Sequence, residues 1–170
     1  MEIRNFNLKG YQNYAPIENK ITALLTEIFA DQHLPLMIAI NESVLNAVKY
    51  SVDGIEEANV SILVRIFSKE LRITIKSNTK YFDAFAYQKK LQNILETESN
   101  LTMDWGDYIG DKDTGRGFWY ILSAVDYFLI NEFGDEVTLV IRKPQLLSSQ
   151  VDSLYYLIPK FLVMRNGVIY

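Results

Sequence analysis

Glu42, Asn46 and Lys49 stand at helical spacing in the stretch INESVLNAVKYS, residues 40–51. At about 100° per residue the three fall within roughly 60° of one another, joined by Asp53 if the helix runs that far. Ile38, Ile40, Val44, Leu45, Ala47 and Val48 take most of the remaining circumference. A helix apolar on most sides is buried, so its polar line must face a compensating partner or a pocket. A carboxamide oxygen is a hard ligand for Mg²⁺, and a carboxylate can orient or deprotonate a nucleophile. One arrangement that uses both is a magnesium–phosphate site. Glu and Asn four residues apart also occur on solvated helices where they do nothing, and the apolar surround is what distinguishes this pair.

The second constellation is DTGRGFWYI, residues 113–121. Gly115 and Gly117 open a helix directly after a long polar stretch. Glycine lets a backbone approach a ligand closely, and a helix N-terminus offers unpaired N–H groups to an anion. Taken alone, the same pattern also describes a tight turn.

The elements that must position these residues follow from periodicity. Glu2 to Leu8 reads as an edge strand. From Pro16 the apolar spacing is helical through Ile28, and after a break at Asp31 to Pro35 the helix carrying Glu42 runs to about Val52. Ala58–Phe67 and Leu71–Ser77 form a hairpin of two strands, and Phe82–Glu96 returns to helical spacing. Thr97–Thr114 is a long polar loop, of a length that usually carries function or moves. A helix over Gly115–Val125 precedes a second hairpin, Tyr127–Phe133 with Glu136–Lys143. Hairpin strands with helices gathered between them predict an α+β two-layer sandwich with a mostly antiparallel sheet and its helices on one face.

The chain of 170 residues has the size of one domain and an ordinary apolar content of 49%. It contains no cysteine and a single histidine, His33, which excludes disulfides, thiolate sites and histidine-rich metal sites. His33 reads as a turn or capping side chain. No apolar run approaches the ~20 residues a spanning helix needs, and the N-terminal stretch lacks the organisation of a signal peptide. The expected address is therefore cytoplasmic, with no membrane partner. A net charge of −4 and a pI near 5.1 argue against nucleic acid as the main partner while leaving room for a local phosphate site.

INESVLNAVKYS resembles the asparagine box of the GHKL (Bergerat-fold) ATPases, in particular the anti-sigma-factor serine kinases. GRGFWYILSAVDYFLI with GDEVTLVIRK resembles their second glycine box, last helix and closing hairpin. The resemblance covers roughly residues 1–143. It implies a histidine-kinase-like ATPase fold, an ATP or ADP site with Mg²⁺, and a lid formed by the loop at 97–114. In this reading Glu42 is the general base, Asn46 the Mg²⁺ ligand, and Gly115, Arg116 and Gly117 meet the phosphates. Lys49 is placed either against phosphate, in solvent, or in an ion pair with Asp53. The partner implied is a sigma factor or an anti-anti-sigma-type protein, with transfer of phosphate to a partner Ser or Thr.

One box departs from the family pattern. Where the family carries Asp-x-Gly-x-Gly, this chain has Ser77, Thr79 and Tyr81. A hydroxyl can accept a hydrogen bond, but the lost carboxylate removes a charge-assisted bond worth ~1.5–3 kcal/mol. Thr79 and Tyr81 would crowd a ligand that glycines admit, and Asp113 places a carboxylate where phosphate is expected. The alternative reading is thus a catalytically inactive interaction module with weak or no nucleotide binding. In the loop, Trp105, Tyr108 and Ile109 read as anchors or as lid contacts. Residues 144–170 lie beyond the resemblance as a C-terminal extension. Asn166-Gly167 between apolar runs signals a hairpin there, whose edge invites pairing with a second copy or a partner protein.

Overall fold

The computed structural model describes residues 1–96, 116–143 and 153–170, with the side chains of Asp31 and Gln32 outside that description. Strand β1 (Glu2–Lys9) is followed by helices α1 (Ala15–Phe29) and α2 (Leu34–Lys49), then by strands β2 (Asn59–Ile66) and β3 (Glu70–Ser77). Helices α3 (Ala84–Leu95) and α4 (Arg116–Ala124) precede β4 (Tyr127–Asn131) and β5 (Glu136–Arg142). A short helix α5 (Leu154–Leu157) leads to β6 (Phe161–Arg165) and β7 (Val168–Ile169).

The strands form one seven-stranded sheet in the order β1-β2-β3-β5-β4-β6-β7, antiparallel except where β6 runs parallel to β4. Alternation decides which face is covered. Val60, Ile62 and Val64 of β2 and Leu71, Ile73 and Ile75 of β3 are buried, and they meet the apolar sides of α1 and α2 in a single core. The helices lie on that face, so the molecule is the two-layer α+β sandwich that periodicity predicts, with β1 on an edge.

Local chemistry sets the element ends. Pro16 occupies the first turn of α1, and Asp83 caps α3 by accepting from the Ala86 N–H at 2.9 Å. In the β4–β5 turn, Gly134 takes φ +77° and the Asn131 side chain accepts from the N–H groups of Asp135 and Glu136. Asn166 and Gly167 both have positive φ and close the β6–β7 hairpin.

The boundary drawn near residue 143 is not a break in the architecture. Leu154, Leu157, Ile158, Phe161 and Val163 are buried in the same core, and β6 extends the same sheet. The parallel placement of β6 beside β4 has no signature in the hairpin motif itself, because it depends on how the chain returns to the sheet.

Candidate functional site

Helix α2 is polar on two different sides, and each side meets a different element. Toward α1, the Tyr14 hydroxyl donates to Asn41 Oδ1 at 2.9 Å, and Asn41 Nδ2 donates to Glu18 Oε1 at 2.6 Å. Tyr14 is buried, and burial, reinforced by the Glu18 charge, holds its phenol protonated well above the ordinary tyrosine range. This network is missing from the motif reading, although Asn41, a polar residue on an apolar helix, was a signal for it.

Toward α4, the Glu42 carboxylate lies directly against Gly117. A Cβ on Gly117 would overlap Glu42 Oε2 and come within 3.1 Å of its carboxyl carbon. The missing side chain at Gly117 leaves the space that the Glu42 carboxylate fills, and the two motifs met separately in the sequence touch here. Glu42 and Asn46 are half-buried, and neither side chain makes a hydrogen bond or ion pair with another described residue. Arg116 is exposed at the start of α4. Lys49 is exposed, with its ammonium 5.6 Å from the centre of the Tyr50 ring, and it forms no ion pair with Asp53.

The end of β3 is fastened to the C-terminal end of α2. Ser77 is buried and its hydroxyl donates to the Ala47 carbonyl at 3.2 Å, one residue beyond Asn46. Thr79 donates through its hydroxyl to the Gly134 carbonyl at 3.2 Å and forms a bridge with Ser51. The Val52 N–H bonds Asn78 O, and the Lys80 N–H bonds Tyr50 O, each at 2.9 Å. Both hydroxyl protons are thus committed to carbonyls, and what remains on each oxygen is acceptor capacity. Tyr81 does not crowd this place. The residue is 71% exposed, and its ring centre lies 6.5 Å from that of Phe133.

Glu42 and Gly117 are in contact, and Ser77 and Thr79 are fixed at the end of α2. Lys49 is exposed beside the Tyr50 ring. Gly115, Asp113, Trp105, Tyr108, Ile109 and the loop at 97–114 lie outside the described residues. A shallow hollow of about 560 Å³ at the ends of β1, β2 and β3 touches Ser77 but includes neither Glu42, Asn46 nor Gly117. His33 sits in a 3-10 turn after α1, with Nδ1 against the Ala30 carbonyl at 2.5 Å, as a turn residue should.

Among the described residues no cluster of acidic, histidine or cysteine side chains could hold a metal ion unaided, and no helix is long and apolar enough to cross a membrane. No family model and no curated protein matches the chain.

Proposed function

We propose that the chain is a cytoplasmic, anti-sigma-factor-like regulator built on a GHKL ATPase fold. In this reading it holds ATP or ADP with Mg²⁺ and acts on a sigma factor or an anti-anti-sigma-type partner. The observation that supports the reading best is the contact between Glu42 and Gly117. Two motifs that stand on either side of β2, β3 and α3 in the chain meet at one point, where the absence of a side chain on Gly117 makes room for the Glu42 carboxylate. The half-buried Asn46 carboxamide, without a protein partner among the described residues, has the hard oxygen that Mg²⁺ prefers. With no carboxylate cluster beside it, the rest of the coordination shell falls to phosphate oxygens and water. Mg²⁺ would neutralise phosphate charge there. The first-turn N–H groups of α4 face the phosphates, and Glu42 accepts the proton of a partner Ser or Thr hydroxyl.

A second reading, the interaction module without nucleotide, is favoured by one feature of the same contact. The Glu42 carboxylate itself lies at the start of α4, where an approaching phosphate would meet its charge. Calorimetric titration with ATP and ADP, with and without Mg²⁺, separates the two. Mg²⁺-dependent heat supports the nucleotide reading. Its absence for both nucleotides leaves the interaction module.

A further inference from the structure

On the face of the sheet opposite α1 and α2, the described residues carry a charge arrangement that the fold does not need. On β2 the residues alternating with the buried Val60, Ile62 and Val64 include Arg65, and on β3 those alternating with Leu71, Ile73 and Ile75 include Glu70 and Arg72. The register places Arg65 directly opposite Arg72, and Glu70 directly opposite Arg142 of β5. Like charges facing across a ladder are destabilising. Lys69 and Lys143 adjoin this corner, the backbone N–H of Lys143 bonding Lys69 O at 2.8 Å. Among the described residues, five cations thus stand against two carboxylates, Glu70 and Asp126, on a chain whose net charge is −4.

Two of the three guanidinium groups are held in place. Arg72 reaches Glu70 Oε1 at 2.7 Å and lies over the Phe67 ring, 5.7 Å from its centre. Arg142 donates to the Tyr127 hydroxyl at 3.0 Å and lies 5.2 Å from that ring centre, while its backbone N–H is satisfied by Asp126. Arg65 makes no ion pair or hydrogen bond among the described residues. Among the described residues, Glu70 therefore serves one arginine of the three, Arg65 keeps its whole donor fork, and Arg142, with one bond from Nη2 to Tyr127, keeps its remaining donors for an incoming anion.

We propose that this corner docks an acidic segment of a partner protein. Carboxylates match the planar forks bidentately, and aromatic stacking reduces the ordering needed on binding. The surface is the flank of a sheet rather than a hollow, which suits an extended chain better than a small anion. A net charge of −4 disfavours a nucleic-acid backbone as the occupant. The corner lies on the face opposite α1 and α2, at the end of β3 away from Ser77, about 17 Å along the strand from Arg72 to Ser77 at ~3.3 Å per residue. It is independent of the proposed nucleotide site.

The test is fluorescence anisotropy of a fluorescein-labelled decamer of glutamate titrated with the full chain. Binding should weaken as salt is raised. It should fall at least about tenfold in the Arg65→Gln, Arg72→Gln, Arg142→Gln triple variant. It should hold in Lys20→Gln, Lys89→Gln, Lys90→Gln, which removes the same charge elsewhere. Arg65→Gln alone should keep or raise Tm by removing a facing like charge, so that lost binding is not lost folding. The proposal is overturned by equal affinity of the Arg triple variant, by no binding at low salt, or by tighter binding of a single-stranded oligonucleotide or phosphatidylserine vesicles.

Discussion

The two ends of the candidate site are built on opposite principles. At the α2–α4 end, Glu42 and Asn46 have no polar partner among the described residues, and a missing side chain at Gly117 makes the space. At the β3 end, the hydroxyl protons and the backbone are already used: Ser77 donates to Ala47, Thr79 donates to Gly134, and the backbone of 78–80 pairs with that of 50–52. Groups left without partners are available to a ligand, whereas groups bonded to the protein's own backbone support the fold. The first end therefore reads as functional and the second as structural, although both fall on motif positions.

The largest effect should come from forcing the family's carboxylate on the structural end. Ser77→Asp places a charge in a buried site facing the Ala47 carbonyl, acceptor against acceptor. The expected loss is about 2–3 kcal/mol at neutral pH, measured by urea unfolding. Burial raises the folded pKa of the new carboxyl, so the loss should shrink as pH falls toward the unfolded value of about 4. A fully stable variant that gains nucleotide affinity would show that this end is a ligand site after all.

Next in size is the other side of α2. Tyr14→Phe removes the bond to Asn41 and should cost about 1 kcal/mol. The phenol's pKa is raised in the folded state, so its contribution is complete below about 10, the unfolded value. As pH rises beyond that, the unfolded chain loses its proton first and stability falls. The phenylalanine variant should show a flatter alkaline limb in its Tm profile.

Gly117→Ala is a finer probe. The atom met by the new Cβ is the tip of the flexible Glu42 side chain, which can swing away, and alanine gains roughly 0.5–1 kcal/mol over glycine within a helix. Apo stability should change by less than about 1 kcal/mol, with a larger gain when Glu42 is also replaced by Ala. Additivity of the two substitutions would break the claim that they touch. The smallest stability effect is expected for Asn46→Ala, within about 0.5 kcal/mol, because no described protein group depends on it. A large apo loss on melting would make Asn46 structural and remove the contrast between the two ends.

Much of this arrangement was legible in the sequence because it rests on period. The alternation in NVSILVRI and ELRITIKS sets the covered face, and the apolar circumference of α2 shows that its polar lines need partners. The two-layer class follows from the order of hairpins and helices. Three features were not legible. The division of α2 into an Asn41 side and a Glu42 side depends on which helix packs where, and residues 41 and 42 are neighbours in the chain. The outward turn of Tyr81 depends on Phe133, far along the sequence. The parallel entry of β6 beside β4 depends on tertiary packing of Phe161 and Val163, which hairpin chemistry does not encode.

The central claim is that the start of α4, beside Glu42, receives the phosphates of a nucleotide. The most direct measurement is the NMR response of the Gly117 and Phe118 amides to ATP with Mg²⁺, in the native chain and in Asn46→Ala. Large shifts and slowed exchange are expected at both amides in the native chain, and neither in the variant. Nucleotide that leaves these amides unmoved, or that moves them equally in the two proteins, would contradict it.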